Sequence, residues 1–258
     1  MMLPLTTTRT LCTRGSNMAP CLSSGLLAGW RLHLLPGNTQ RRFASTGKKK
    51  IWQHAETAKL IFSAKTLDFP TATRLPEVVF TGRSNSGKST LIGAILGRGS
   101  LVRTSKKAGN TRGLDFYRVG PEPGDIVLVD TPGYGAIGKS EWGAQFDHYL
   151  ETREQLKRVY VIFNIRNGFN KFDEMMLQML ASKMIQDGVQ KFTLQAVITK
   201  ADTLNVDELR PALETIRKQI WQAAPLCLLP IITSATMSPP FGVDKLRQNV
   251  SEACAILP

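Results

Sequence analysis

One stretch constrains the fold of this chain more than any other: "PEVVFTGRSNSGKSTLIGAIL", Pro76 to Leu96. A continuous apolar run ends in Gly82-x-x-x-x-Gly87-Lys88-Ser89, and helix-forming residues with apolar periodicity follow at once. A strand that feeds a glycine-rich turn and then a helix belongs to a parallel sheet, in which the helix crosses back over one face. Glycines allow such a turn to curl until successive N–H groups point inward as an anion nest, and the helix adds its positive end. Gly82, Arg83, Ser84, Asn85, Ser86, Gly87, Lys88 and Ser89 are therefore candidate phosphate-binding residues. In this pattern Lys88 reaches the β and γ phosphates, and the Ser89 hydroxyl ligates Mg²⁺.

The rest of the chain repeats the alternation. "EVVF" (77–80), "IVLVD" (126–130), "VYVIFNI" (159–165), "LQAVIT" (194–199) and "LLPIIT" (228–233) are continuous apolar runs, as in strands buried on both faces. "LDFYRV" (114–119) alternates and reads as an antiparallel edge strand. Helices are expected over Ser89–Leu96, Trp142–Leu156, Asp173–Ile185, Leu209–Trp221 and Val243–Ile256. The expected fold class is α/β: a mostly parallel six-stranded sheet with helices on both faces and the ligand at the carboxyl ends of the strands. The methionines of 175–184 read as core filler. "WQHAETAKLIFSA" is expected to form a short helix packed on the domain.

Two further strand ends carry chemistry. After "IVLV" come Asp130, Thr131, Pro132 and Gly133. A carboxylate there can hold Mg²⁺ through water, and the Gly133 amide can meet a γ-phosphate. The same letters also suit an ordinary strand exit. After "QAVI" come Thr199, Lys200, Ala201 and Asp202. Asp202 can accept from the N1–H and exocyclic amine of guanine, a pairing adenine cannot offer, while the Lys200 stem packs along the base. A P-loop kinase for a small metabolite fits poorly, because such enzymes have no use for this last motif.

The three motifs in this order resemble the small GTPases of the TrmE–Era–EngA–EngB group. "LPEVVFTGRSNSGKSTLI", "DTPGYG" and "TKAD" are most similar to its EngB branch, also called YihA or YsxC. The resemblance covers about residues 60 to 258 and implies a P-loop G domain that binds GTP or GDP with Mg²⁺. It implies a switch I segment at Gly109, Asn110, Thr111, Arg112 and Gly113, with Thr111 joining Ser89 and Asp130 on the metal. It places Thr233, Ser234 and Ala235 against the guanine carbonyl. The residues it assigns to catalysis are Lys88, Thr111, Gly133 and Asn85. Asn85 holds the place where relatives help to bind K⁺ beside the phosphates. Tyr134 stands where Ras-like enzymes orient water with glutamine, which implies slow intrinsic hydrolysis. "AGNTR" and "NIRNG" depart from the family's usual "PGRTQ" and "DSRHG", so that Asn164 replaces an acid.

Composition bears on location and partner. The first acidic residue is Glu56, and residues 1–46 hold five arginines, no lysine and many hydroxyl residues. That composition fits a mitochondrial transit peptide over 1–46, with "RRFAST" resembling a matrix-peptidase site. A lead-in over 47–70 and a G domain over 71–258 follow. The formal charge is +13 over 258 residues, which suits a polyanionic partner. By family resemblance that partner is the assembling mitochondrial large ribosomal subunit and its rRNA, met by Arg98, Arg103, Lys106, Lys107 and Arg112. The alternative is an RNA-binding assembly scaffold that binds GTP with negligible hydrolysis. Cys227 and Cys254 form neither CxxC nor zinc spacing and read as free thiols. No apolar run approaches the length of a membrane-spanning helix.

Overall fold

The computed structural model describes residues 48–64, 67, 69, 74–102, 113–135 and 140–255. The expected leader, and Gly109 to Arg112 of switch I, lie outside them. The central sheet has seven strands in the order β1-β3-β4-β2-β5-β8-β9. These are β1 Lys59–Ala64, β2 Glu77–Gly82, β3 Leu114–Val119, β4 Ile126–Asp130, β5 Leu156–Asn164, β8 Thr193–Thr199 and β9 Leu228–Ile232. Strands β4, β2, β5, β8 and β9 are mutually parallel, whereas β3 pairs antiparallel with both β4 and β1. A two-residue hairpin, β6 Ile185–Gln186 with β7 Val189–Gln190, stands apart.

Four of the five continuous apolar runs became strands covered on both faces, whereas β9 lies at the sheet edge with Leu228 and Leu229 exposed. Val79, Val127, Val129, Val159 and Val161 point to one face, and Val78, Phe80, Ile126, Leu128 and Ile162 to the other. Helices α3 Ser140–Thr152, α4 Lys171–Lys183 and α5 Val206–Ala223 cover the first face through Phe146, Tyr149, Leu177, Leu180, Ile216 and Ile220. The second is covered by α2 Lys88–Leu96 and α6 Val243–Ala253, through Leu91, Ile92, Ile95, Leu246 and Val250. Each such side chain contributes about 1.5–3 kcal/mol by leaving water. Met176 and Met184 sit in the core while Met175 is exposed, so only part of that cluster is filler.

Two expectations need correction. The sheet has seven strands rather than six, and β3 is not its edge. Both follow from "KLIFSA", which was expected to be helical but pairs with β3 as β1. The helix in that region, α1 Lys48–Gln53, stops short of it. Its residues Ile51 and Trp52 pack on α6, with the Trp52 indole donating to Arg247 O and Ser251 Oγ at 3.1 and 3.0 Å. Five of the six β1 residues are exposed. Backbone pairing rather than burial of one face therefore holds this strand, and hydrophobic periodicity could not show it.

Candidate functional site

The chain leaves β2 for β3 and β4 on one side and for β5, β8 and β9 on the other. Loops following β2, β4, β8 and β9 therefore converge outside the carboxyl ends of the strands, where open α/β sheets bind ligands. Gly82 ends β2, and Lys88 and Ser89 open α2. Between them Asn85 and Gly87 have φ of 63° and 95°. These left-handed residues bend the chain into a nest, and Gly87 occupies a conformation that side chains disfavour.

Lys88 Nζ is buried and donates to Gly82 O and Arg83 O at 3.0 and 3.3 Å. Burial lowers its pKa, and the Asp130 charge only partly opposes this. Such an ammonium lacks a full counter-charge and would gain one from phosphate. Ser89 Oγ donates to Asp130 Oδ2 at 2.8 Å. Asp130 is fully enclosed at the end of β4, and its Oδ1 has no hydrogen-bond partner among the described residues. Burial pushes its carboxyl up to about 6, against the pull of Lys88. A hydroxyl beside a carboxylate with a free buried oxygen is a donor set that suits a hard cation such as Mg²⁺.

Thr199, Lys200, Ala201 and Asp202 occupy the end of β8 and the turn that follows. Thr199 Oγ1 donates to Ser86 O at 2.6 Å, and Lys200 Nζ donates to Asn85 O at 3.2 Å. The base-side turn thus supports the phosphate loop, a role the sequence did not suggest. Ser234 Oγ donates to Asp202 Oδ1, and Ala201 N to Thr233 O. Thr233, Ser234 and Ala235 lie in the turn after β9, with Ser234 paired to Phe241. Asp202 is exposed, in a position to accept from a base edge.

Thr131, Pro132 and Gly133 run directly from β4 alongside the phosphate loop. A Cβ on Gly133 would lie 2.6 Å from both Ser84 Cα and Ser84 N, so only glycine fits. Tyr134 N donates to Gly82 O at 3.3 Å and its carbonyl accepts from Ser84 N at 3.2 Å, adding a rung between the two loops. The phenol donates to Asp173 Oδ1 at 2.9 Å, and Arg83 Nε lies 3.1 Å from Asp173 Oδ2. Sequence reasoning assigned no part to Asp173. It reads there only as an acid in the first turn of a helix.

Of switch I, Gly113 alone is described, buried just before β3. Arg98 donates to Glu56 O and Ala58 O at 2.9 and 3.1 Å, so part of its guanidinium serves the lead-in rather than an open loop. Arg103, Lys106 and Lys107 lie outside the described residues. Asn164 Oδ1 accepts from Arg166 N at 3.1 Å and caps the turn Ile165–Asn167. An aspartate there would cap equally well, so the departure at Asn164 costs the fold little. Cys227 and Cys254 are free, with burial pushing both thiols up to about 12. No helix among the described residues is long and apolar enough to cross a membrane.

A family model described as "50S ribosome-binding GTPase" matches residues 77–199. The chain is 31% identical over 207 residues to the probable GTP-binding protein EngB of Rhodospirillum rubrum, covering 78% of this chain and 86% of that one. Its counterpart in Albidiferax ferrireducens is 36% identical over 174 residues, covering 65% and 81% respectively. Among solved structures, Era in complex with MgGDPNP and a segment of 16S ribosomal RNA superposes with a TM-score of 0.53 at 22% identity, over 70% of this chain and 57% of that one. That likeness shows the α/β fold. With the phosphate loop and the two strand-end motifs converging at one edge of this sheet, the chain belongs to the EngB family of P-loop GTPases, which hydrolyse GTP to GDP.

Proposed function

We propose that this chain is a mitochondrial matrix GTPase whose GTP- and GDP-bound forms act as a switch on the assembling large ribosomal subunit. The observation that carries this reading is the match of residues 77–199 to a ribosome-binding GTPase family. The acid-free, arginine-bearing residues 1–46 support matrix import, and the net charge of +13 supports contact with rRNA.

In this reading the loop amides and Lys88 hold the phosphates, and Ser89, Asp130 and Thr111 hold Mg²⁺. Mg²⁺ supplies charge neutralisation at the β and γ phosphates. Asp202, with Lys200 and the turn at Thr233, Ser234 and Ala235, selects guanine. Gly133 and Thr111 sense the γ-phosphate, and its loss changes segments 98–113 and 133–145. Intrinsic hydrolysis is slow in this reading, because Tyr134 stands where Ras-like enzymes orient water with glutamine. Asn85 assists a K⁺ ion; equal GTPase rates in K⁺ and Na⁺ at matched ionic strength would remove it from the mechanism.

The test is co-sedimentation of the mature protein with mitochondrial ribosomal particles in a non-hydrolysable GTP analogue or in GDP. Retention on large-subunit particles with the analogue, and release with GDP, is expected. Equal behaviour in both nucleotides, or no binding, would sink the switch reading.

A further inference from the structure

Asp173 joins three elements through one carboxylate. Its Oδ1 accepts from the Tyr134 phenol at 2.9 Å. Its Oδ2 accepts from Asn170 N at 2.9 Å and faces Arg83 Nε at 3.1 Å. Asn170 Oδ1 in turn accepts from Asp173 N, closing a capping box that fixes the first turn of α4. Arg83 also donates through Nη2 to the turn after β5, 2.5 Å from Gly168 O. Two of its three nitrogens are therefore engaged by α4 and that turn. Burial raises the Tyr134 pKa well above its ordinary value, which keeps the phenol a donor and excludes it as a base.

The position of this cluster is what matters. Arg83 lies inside the phosphate loop, and Tyr134 immediately follows the glycine that packs on Ser84. Tyr134 pairs through its own backbone with Gly82 and Ser84. Moving the Tyr134 ring would therefore move the Gly133 peptide relative to the loop. We propose that Tyr134, Asp173 and Arg83 form a latch that positions the Gly133 amide for the γ-phosphate, making Asp173 and Tyr134 positioning residues for GTP hydrolysis. This rests on the chain's GTPase activity, and it locates part of that activity in α4, outside the nucleotide-binding motifs.

The test compares single-turnover hydrolysis, KM for GTP and GDP affinity in wild type, Tyr134→Phe and Asp173→Asn. Tyr134→Phe removes one oxygen and leaves the capping box intact, so it remains informative even if Asp173→Asn fails to fold. The expected result is a fall in the hydrolysis rate of at least about fivefold in Tyr134→Phe, with KM and GDP affinity within about twofold of wild type. A merely structural contact would lower the melting temperature without this split. An unchanged rate in a folded Tyr134→Phe would overturn the latch. A raised rate would also overturn it, since the contact would then be restraining switch II. Absence of hydrolysis in the wild type would count instead against the functional reading above.

Discussion

The molecule uses one chemical arrangement twice. In the first case the Tyr149 phenol donates to Glu77 Oε2 at 2.9 Å and Arg153 Nη2 lies 3.1 Å from Glu77 Oε1. In the second, Tyr134 donates to Asp173 at 2.9 Å and Arg83 lies 3.1 Å from the same carboxylate. The distances match, but the settings do not. Glu77 opens β2 at the amino end of the sheet, and Arg153 also lies over the Phe116 ring, 5.5 Å from its centre. That cluster ties the end of α3 into the core, remote from the nucleotide site. The Asp173 cluster sits at the carboxyl end, and its arginine side chain is 17% exposed against 7% for Arg153. Arg153 also donates through Nε to Glu77 Oε2 at 3.1 Å, so it grips both carboxylate oxygens where Arg83 meets one. Similar contacts therefore serve the fold at one end and geometry at the phosphates at the other.

Breaking the core cluster should cost more stability. Glu77→Ala removes the buried carboxylate shared by Arg153 and the Tyr149 phenol and should destabilise by about 3–5 kcal/mol. In thermal unfolding that is a fall in melting temperature of roughly 6–20 °C for a domain of this size. Asp173→Ala should cost less, about 2–3 kcal/mol, since Arg83 can turn toward water while the helix cap and one buried hydrogen bond are lost. Urea unfolding of the two variants would order them. A larger loss for Asp173→Ala would break the comparison. Tyr149→Phe should cost about 1–2 kcal/mol by chemical unfolding and leave GTP turnover by the folded protein unchanged.

A smaller effect sharpens the contrast through pH. Burial raises Asp130 from 3.8 to about 6. A raised carboxyl pKa favours the folded state while the group is protonated. Its contribution is full below about pH 4 and is lost as pH rises through about 6. Mg²⁺ with nucleotide should offset that loss where Asp130 is ionised. The gain in melting temperature on adding Mg²⁺ and GDP should therefore be larger at about pH 7.5 than at about pH 5. A gain independent of pH would show that Asp130 does not face the metal.

The buried runs at 77–80, 126–130 and 194–199 were legible as strands because both faces are covered and no polar alternation interrupts them. Asp130 and Asp202 could be placed at strand ends for the same reason, whereas Ser234 was reached only through the family resemblance. β1 could not be read, since its pairing is by backbone and five of its residues are exposed. The Asp173 cluster was equally hidden. It joins residues from a loop variable position, a turn and a helix cap, each with an adequate local explanation, and only the sheet order brings them together.

Single-turnover GTP hydrolysis separates a tyrosine–carboxylate–arginine cluster that serves turnover from a twin that serves the fold. Tyr134→Phe and Tyr149→Phe should be measured side by side, well below both melting temperatures. Tyr134→Phe alone should be slowed, by at least about fivefold, whereas Tyr149→Phe should match wild type. Equal rates in the two variants would contradict that division.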